Sequence, residues 1–206
     1  MSPLPKPSEA AAVAQAAYSG PWKWTDVGVR AMDARLGPWR CIAYEGTTSD
    51  FLQITRDIRF LPFWDRRAGI GPIGFVKGVL AVIEDLVADC IDDAKAGNLI
   101  VLGHSLGGSL ALRTAGHFRA LGYKVPVFAI EPARCCLWKL GRLLADVPVF
   151  ISQAGSDPVP DVPLFYRHPG AVTRIGHPVA DPLNMIARIK QHRIAQVIAD
   201  LKAAGL

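Results

Sequence analysis

The sequence predicts an α/β fold: a mostly parallel central sheet with helices on both faces. Three observations carry that expectation. Short apolar runs at Leu99 to Leu102, Lys124 to Ile130 and Val147 to Gln153 have the length and character of strands buried on both sides. Helical periodicity separates them, clearest in residues 76 to 95. There Val79, Val82, Ile83, Leu86, Val87 and Cys90 share one face, and Glu84, Asp85, Asp89, Asp92 and Asp93 lie largely on the other. The first of the apolar runs also turns directly into a helix through Gly103-His104-Ser105-Leu106-Gly107. With 206 residues, the chain is read as a single compact domain, 1–206, long enough to bury one core.

Taken in order, residues 1–7 read as an extended arm, and Ser8 as the cap of a helix through Ala17 that Gly20-Pro21 ends. Trp22, Trp24 and Trp39 read as packing residues. Residues 38 to 45 form a strand, broken by the turn chemistry of Gly46-Thr47-Thr48-Ser49-Asp50. Phe51, Ile54, Ile58 and Leu61 then recur at helical spacing, so residues 48–75 are a candidate lid or pocket wall, the glycine-rich part from 65 to 75 being loop. After the helix at 76 to 95 and the strand before Ser105, a second helix runs to about Leu121. His117 on it is a surface or packing residue. The later strands are followed by the loop Ala154-Gly155-Ser156-Asp157-Pro158, a last strand at Val172 to Ile175 and a closing helical region from 182 to 203.

Composition excludes several classes. The chain is 50% hydrophobic and 20% charged, an ordinary soluble balance, and its net charge of +5 is scattered rather than massed on one helix, which argues against nucleic-acid binding. Cys41, Cys90, Cys135 and Cys136 lack metal-type spacing and read as core thiols in a reducing compartment. Met1 to Pro7 has no apolar core of a secretory signal, and no stretch approaches the ~18 apolar residues of a membrane span. The expectation is a cytoplasmic protein.

The chemistry lies at the turn. Gly-x-Ser-x-Gly between a buried strand and a helix is a nucleophile elbow, which lifts one serine onto a sharp turn. A serine hydroxyl needs a base to take its proton and a carboxylate to orient that base. The amide of Leu106, at the helix N-terminus, is a candidate donor to an oxyanion. In the α/β-hydrolase order of serine, acid, histidine, Asp157 follows the next strand but one; Asp146 and Asp161 are its rivals. His168 precedes the last strand, the wrong side for a base. His177 follows that strand directly and is the choice from topology alone, while His192 stands before the final helix. Either could reach the serine.

The residues resemble the class 3 lipases, the fungal lipase-like α/β hydrolases, over most of the chain. Tyr44-Glu45-Gly46-Thr47-Thr48-Ser49-Asp50 looks like the family's Gly-Thr oxyanion loop, and Gly103-His104-Ser105-Leu106-Gly107-Gly108-Ser109-Leu110-Ala111 like its elbow. Asp157-Pro158-Val159-Pro160-Asp161-Val162-Pro163 is similar to its acid loop, and Tyr166-Arg167-His168-Pro169-Gly170 to its Tyr-x-His-x-Gly segment. The resemblance implies an α/β-hydrolase fold, with Ser105 as nucleophile, Asp157 as orienting acid, and Thr47 with Leu106 as oxyanion donors. It implies His192 as base, with His177 the rival, because His192 to Leu201 fits the family's His-x-x-x-x-Tyr-x-x-x-Leu pattern except that Val197 or Ile198 replaces the aromatic. Asp57 matches an acidic residue that helps to hold the oxyanion hydroxyl.

The expected protein is therefore a serine esterase or lipase acting on carboxylic esters through an acyl-enzyme, with no metal or organic cofactor. An ester or acyl-lipid is the expected substrate, with transient contact to a membrane or lipid surface. A thioesterase or acyltransferase on the same residues, or a non-catalytic hydrolase-like binding module, are the alternatives. Activity should fall in acid as the histidine takes a proton.

Overall fold

The computed structural model describes residues 2–26, 28–47, 61–181 and 183–206. The amphipathic segment around Phe51 to Phe60 and Asp57 lies outside the described residues, as do Thr48, Ser49 and Asp50; of the 48–75 segment read as lid or wall, only residues 61–75 are among those described.

A seven-stranded sheet organises the chain. In spatial order it runs β1 (Trp24–Asp26), β2 (Val29–Leu36), β3 (Trp39–Tyr44), β6 (Leu99–His104), β7 (Val127–Ile130), β8 (Val149–Ala154) and β9 (Thr173–Ile175). β4 (Pro62–Phe63) and β5 (Gly71–Pro72) form a separate short ribbon. From β3 to β9 the strands are parallel, with Ile42 opposite Val101, Val101 opposite Val127 and Val127 opposite Val149. β1, β2 and β3 are antiparallel to one another, a hairpin edge that the residue patterning does not announce. The reason is visible in β2, which lies near the edge of the sheet and buries only Val29, Ala31 and Met32 of its eight residues.

Helices cover both faces. On one side α1 (Pro7–Ala16) packs Ala10 and Ala14 against Trp39, Cys41, Ala43, Ile100, Leu102 and Phe128. The other face of the same strands, Ile42, Tyr44, Val101, Val127 and Ala129, meets α2 (Ile73–Ala96) and α3 (Leu106–Ala120) through Val79, Ile83, Leu86, Leu110 and Phe118. Alternate residues of β3 thus enter different cores, as the period of a strand requires. α4 (Trp138–Leu143) caps α3, and α5 (Met185–Gln191) and α6 (Ile194–Ala203) close the chain. Val197 and Leu201 of α6 are fully buried with Ala11, Ile130, Ala154 and Ile175, so the last helix lies beside the first. All four cysteines are free and buried.

Two local expectations change and one open alternative closes. Ser8 does not cap α1: Lys6 does, its amide bonded to Glu9 at 2.8 Å, and Ser8 instead donates to the carbonyl of Leu206 at 2.6 Å. α2 begins at Ile73, three residues before the expected start at residue 76. His117, read as a surface or packing residue, is the packing one: it is buried and contacts Asp65 at 2.8 Å, and Arg113 reaches the same carboxylate at 2.8 Å.

Candidate active site

Ser105 follows β6 and directly precedes α3 with φ 56° and ψ −125°, a left-handed conformation that L-residues adopt only when the surroundings impose it. Close packing imposes it here. A side chain at Gly107 would come within 2.5 Å of the Tyr44 carbonyl and 2.9 Å of that of Glu45. At Gly46 it would strike the Tyr18 hydroxyl and approach the His104 carbonyl to 2.6 Å. The end of β3 and the elbow therefore touch backbone to backbone, and half-buried Thr47 follows Gly46 in the chain. The Ser105 amide donates to Ile130 at 2.9 Å, tying the elbow to β7, and its Oγ is buried without a hydrogen-bond partner among the described residues. Leu106, half-buried, is the first residue of α3.

His104 is part of the same scaffold. Its Nε2 lies 2.9 Å from the carbonyl of His192 and must donate to it, so Nδ1 is the acceptor for the Tyr18 hydroxyl at 2.7 Å. Burial, and then the neighbouring His192, hold the His104 imidazole well below its usual range and keep it neutral. Its ring lies 4.6 Å from that of His192 at 33°, a platform under the second imidazole.

Asp157 stands in the loop after β8, fully buried. Oδ1 accepts from the Val159 amide at 3.0 Å and Oδ2 meets His192 Nδ1 at 2.6 Å. With Nδ1 donating, His192 carries its lone pair on Nε2, which is buried and has no partner among the described residues. Ser156 supports this arrangement on both sides. Its amide donates to Gln191 at 2.7 Å, its carbonyl accepts from Arg188 at 2.9 Å, and its hydroxyl accepts from the Val179 amide at 3.0 Å. α5 is thereby bound to the acid loop, and His192 follows as its C-terminal cap.

The structure brings His104, Asp157 and His192 into contact at the carboxyl ends of β6 and β8, with Ser105 next to His104 in the chain. It does not bring His177, whose side chain is exposed and which contributes only a carbonyl, to Gln191 at 2.7 Å. His168 donates to the Pro160 carbonyl at 2.7 Å and braces the acid loop. Of the rival acids, Asp146 pairs with Arg119 at 2.9 Å and Lys124 at 3.0 Å, and Asp161 with Arg134 at 3.4 Å.

One neighbour was not singled out from the sequence. Glu131 follows β7 with φ 51° and is fully buried. Its carboxyl oxygens accept from Ser152 Oγ at 2.8 Å and the Ala154 amide at 2.7 Å. Ligand-type atoms of Glu131, Asp157 and His192 lie within 4.8 Å of one another, the one gathering of three metal-ligating side chains among the described residues. Nδ1 of His192 and both carboxyls already have the hydrogen bonds given above. Before a proline, Glu131 gives no signal in the sequence beyond its position at the end of a buried strand.

The model of the family described as Lipase (class 3) matches residues 42–167, a span that holds Thr47, Ser105, Glu131 and Asp157 and ends before His192. No curated protein matches the chain. Among solved structures, the chain is similar to a mutant form of MDLA from Penicillium cyclopium, at 19% identity and TM-score 0.68, covering 94% of each chain. It is also similar to the Rhizomucor miehei lipase in its propeptide complex, at 20% identity and TM-score 0.71, covering 82% of this chain and 67% of that one. A triacylglycerol lipase whose catalytic centre is formed by a serine protease triad is similar at 22% identity and TM-score 0.63, covering 78% of this chain and 65% of that one.

Proposed function

The chain belongs to the class 3 lipase family and is a carboxylic ester hydrolase, and we propose that Ser105 is its nucleophile, His192 its general base and Asp157 the carboxylate that orients the base. The observation that carries this reading is one contact with two orphans. His192 meets buried Asp157 at 2.6 Å, while its other nitrogen and the Ser105 hydroxyl are both buried without partners among the described residues. Buried polar atoms left unpaired are costly, so a substrate or intermediate that completes them is favoured. The triad named for the similar triacylglycerol lipase supports the same roles.

In the proposed reaction Ser105 Oγ attacks the ester carbonyl carbon as His192 Nε2 takes the hydroxyl proton. Asp157 stabilises the imidazolium that forms, and the Leu106 amide with Thr47 donates to the tetrahedral oxyanion. The C–O bond to the alcohol then breaks, and the alcohol leaves with the proton from His192. Water, deprotonated by His192, attacks the acyl-enzyme and releases the acid and Ser105. Neutral His104 beneath His192 adds no competing charge. The substrate class is an acyl ester of lipid type, presented at a surface by Leu164 and Phe165 beyond the acid loop and Leu183 and Ile186 ahead of His192. Phe165 is 90% and Leu183 89% exposed, which supports transient contact with a lipid surface. We read residues 1–206 as one domain, with α1 and α6 packed together at its ends.

Fluorophosphonate labelling and turnover of p-nitrophenyl esters across chain lengths test the reading. Ser105 is expected to be the labelled residue, and Ser105→Ala to lose both label and turnover; a Ser105→Ala protein that keeps its turnover overturns the assignment. Preference for a thioester, or for an alcohol acceptor over water, would redirect the same residues to the alternative chemistries.

A further inference from the structure

We infer that Glu131, as a neutral carboxylic acid, donates a hydrogen bond to Asp157 and so is the positioning residue that holds the orienting carboxylate against His192. The inference rests on the role of Asp157 proposed above. Glu131 terminates β7, the strand between those that carry Ser105 and Asp157, and is itself in the left-handed region at φ 51°. Such a conformation persists in a non-glycine residue only where the surroundings over-determine it. Here Ser152 and the Ala154 amide fix the carboxyl from β8, and the Glu131 amide donates back to Ser152 Oγ at 3.3 Å.

Two buried carboxyls so close, with no lysine or arginine paired to either among the described residues, cannot both be charged. The pair carries one negative charge and one proton, and geometry decides where the proton resides. Asp157 meets the His192 N–H at 2.6 Å, beside the imidazole that takes up charge in the proposed reaction, whereas Glu131 faces a hydroxyl and an amide, so the charge belongs on Asp157 and the proton on Glu131. Burial, and then the adjacent Asp157, push the Glu131 carboxyl well above its usual range, in agreement. Asp157 has acceptor capacity to spare: its bonds from Val159 and His192 leave lone pairs that burial would otherwise strand. The titratable groups packed around Glu131 are Asp157 and His192, with His104 stacked behind the latter.

The test compares Glu131→Met and Glu131→Gln with the wild-type full chain, using p-nitrophenyl butyrate. Methionine fills the volume but removes the donor; kcat should fall about 10- to 100-fold, the worth of one hydrogen bond to a charged group, with KM within about twofold. The acid limb of kcat/KM should move to higher pH, since an Asp157 relieved of its donor holds the imidazolium more tightly. Glutamine restores a neutral donor and should return kcat to within about threefold of wild type. A purely structural role would lower the unfolding temperature and leave the acid limb where it was. A folded Glu131→Met protein with unchanged kcat and acid limb overturns the inference. Should that variant not fold, infrared difference spectra decide: a protonated-carboxyl band present in wild type near pH 7 and missing from Glu131→Gln is expected, and no such band in wild type overturns the inference. Ser105 labelling in the same proteins separates the two failures. Loss of the label from wild type sinks the assignment of the site, whereas a labelled Ser105 with an indifferent Glu131 sinks this inference alone.

Discussion

Ser105 and Glu131 are the non-glycine residues with positive φ among those described, and they close neighbouring parallel strands. Each such conformation costs on the order of 1–2 kcal/mol, and Ser105 adds a buried hydroxyl without a partner among the described residues. The site is thus built at the expense of stability. Ser105→Gly, which relieves the strain and removes the hydroxyl, should be inactive yet more stable by roughly 1–2 kcal/mol, raising the unfolding temperature by about 2–8 °C in a domain of this size. A thermal melt checks it; an unchanged or lower unfolding temperature contradicts the strain argument. The partners of Ser105 behave differently. Asp157→Asn should reduce kcat by about 10⁴-fold, because the amide can donate to His192 and favour the wrong tautomer. His192→Ala should cost on the order of 10³- to 10⁴-fold or more, and His177→Ala, an exposed side chain, less than about twofold. Ester kinetics on the three variants read this directly.

At the scale of elements, the core holds a polar knot away from the reacting groups. Asp65, ahead of β5, binds Arg113 and His117 of α3 at 2.8 Å each and caps its own turn through the amides of Arg67 and Ala68. Arg113 also donates to the carbonyls of Cys135 and Gly69, so α3, the β4–β5 ribbon and the chain after β7 meet at one guanidinium. Asp65→Ala strands a fully buried cation and should cost about 3–5 kcal/mol by denaturant unfolding, with Ser105 labelling kept in the folded fraction. Asp65→Asn, which keeps an acceptor, should cost less. This knot was not legible in the sequence, where Asp65 lies 48 residues before Arg113 and 52 before His117. Central strands were legible because both faces are buried and the run is apolar throughout, and the elbow because strand, glycines and helix are contiguous. β1 and β2 were not, since a half-exposed edge hairpin mixes Arg30, Asp33 and Arg35 with its apolar residues. That His192 and not His177 meets Asp157 follows from how α5 folds back over Ser156, which hydrogen bonds across about 35 residues decide. Glu131 was silent for a similar reason: its meaning comes from Asp157, a strand away.

For the whole molecule, these two buried carboxyls bend the pH dependence of stability in opposite directions. Burial pushes Asp65 upward, but the hydrogen bond and charge of His117, the Ala68 amide and Arg113 outweigh it and hold the carboxyl well below its usual range. The unfolded chain therefore binds the Asp65 proton more readily, and the stability it contributes is present above the ordinary carboxylate range and lost as pH falls toward the folded value. Glu131 is raised well above its ordinary 4.5, so the folded chain holds that proton longer than the unfolded one. Its contribution is complete below about pH 4.5 and declines as pH rises toward the folded value. Glu131→Gln removes this second titration while leaving Asp65 in place. The difference in unfolding temperature between Glu131→Gln and wild type should therefore grow more positive from pH 5 to pH 8, whatever its sign at pH 5. The acid-side loss should be the same in both proteins, because Asp65 causes it. Melts at several pH values check both limbs at once. A difference that stays flat from pH 5 to pH 8 would mean that Glu131 ionises alike in the folded and unfolded chain, and the shared proton between Glu131 and Asp157 would have to be abandoned.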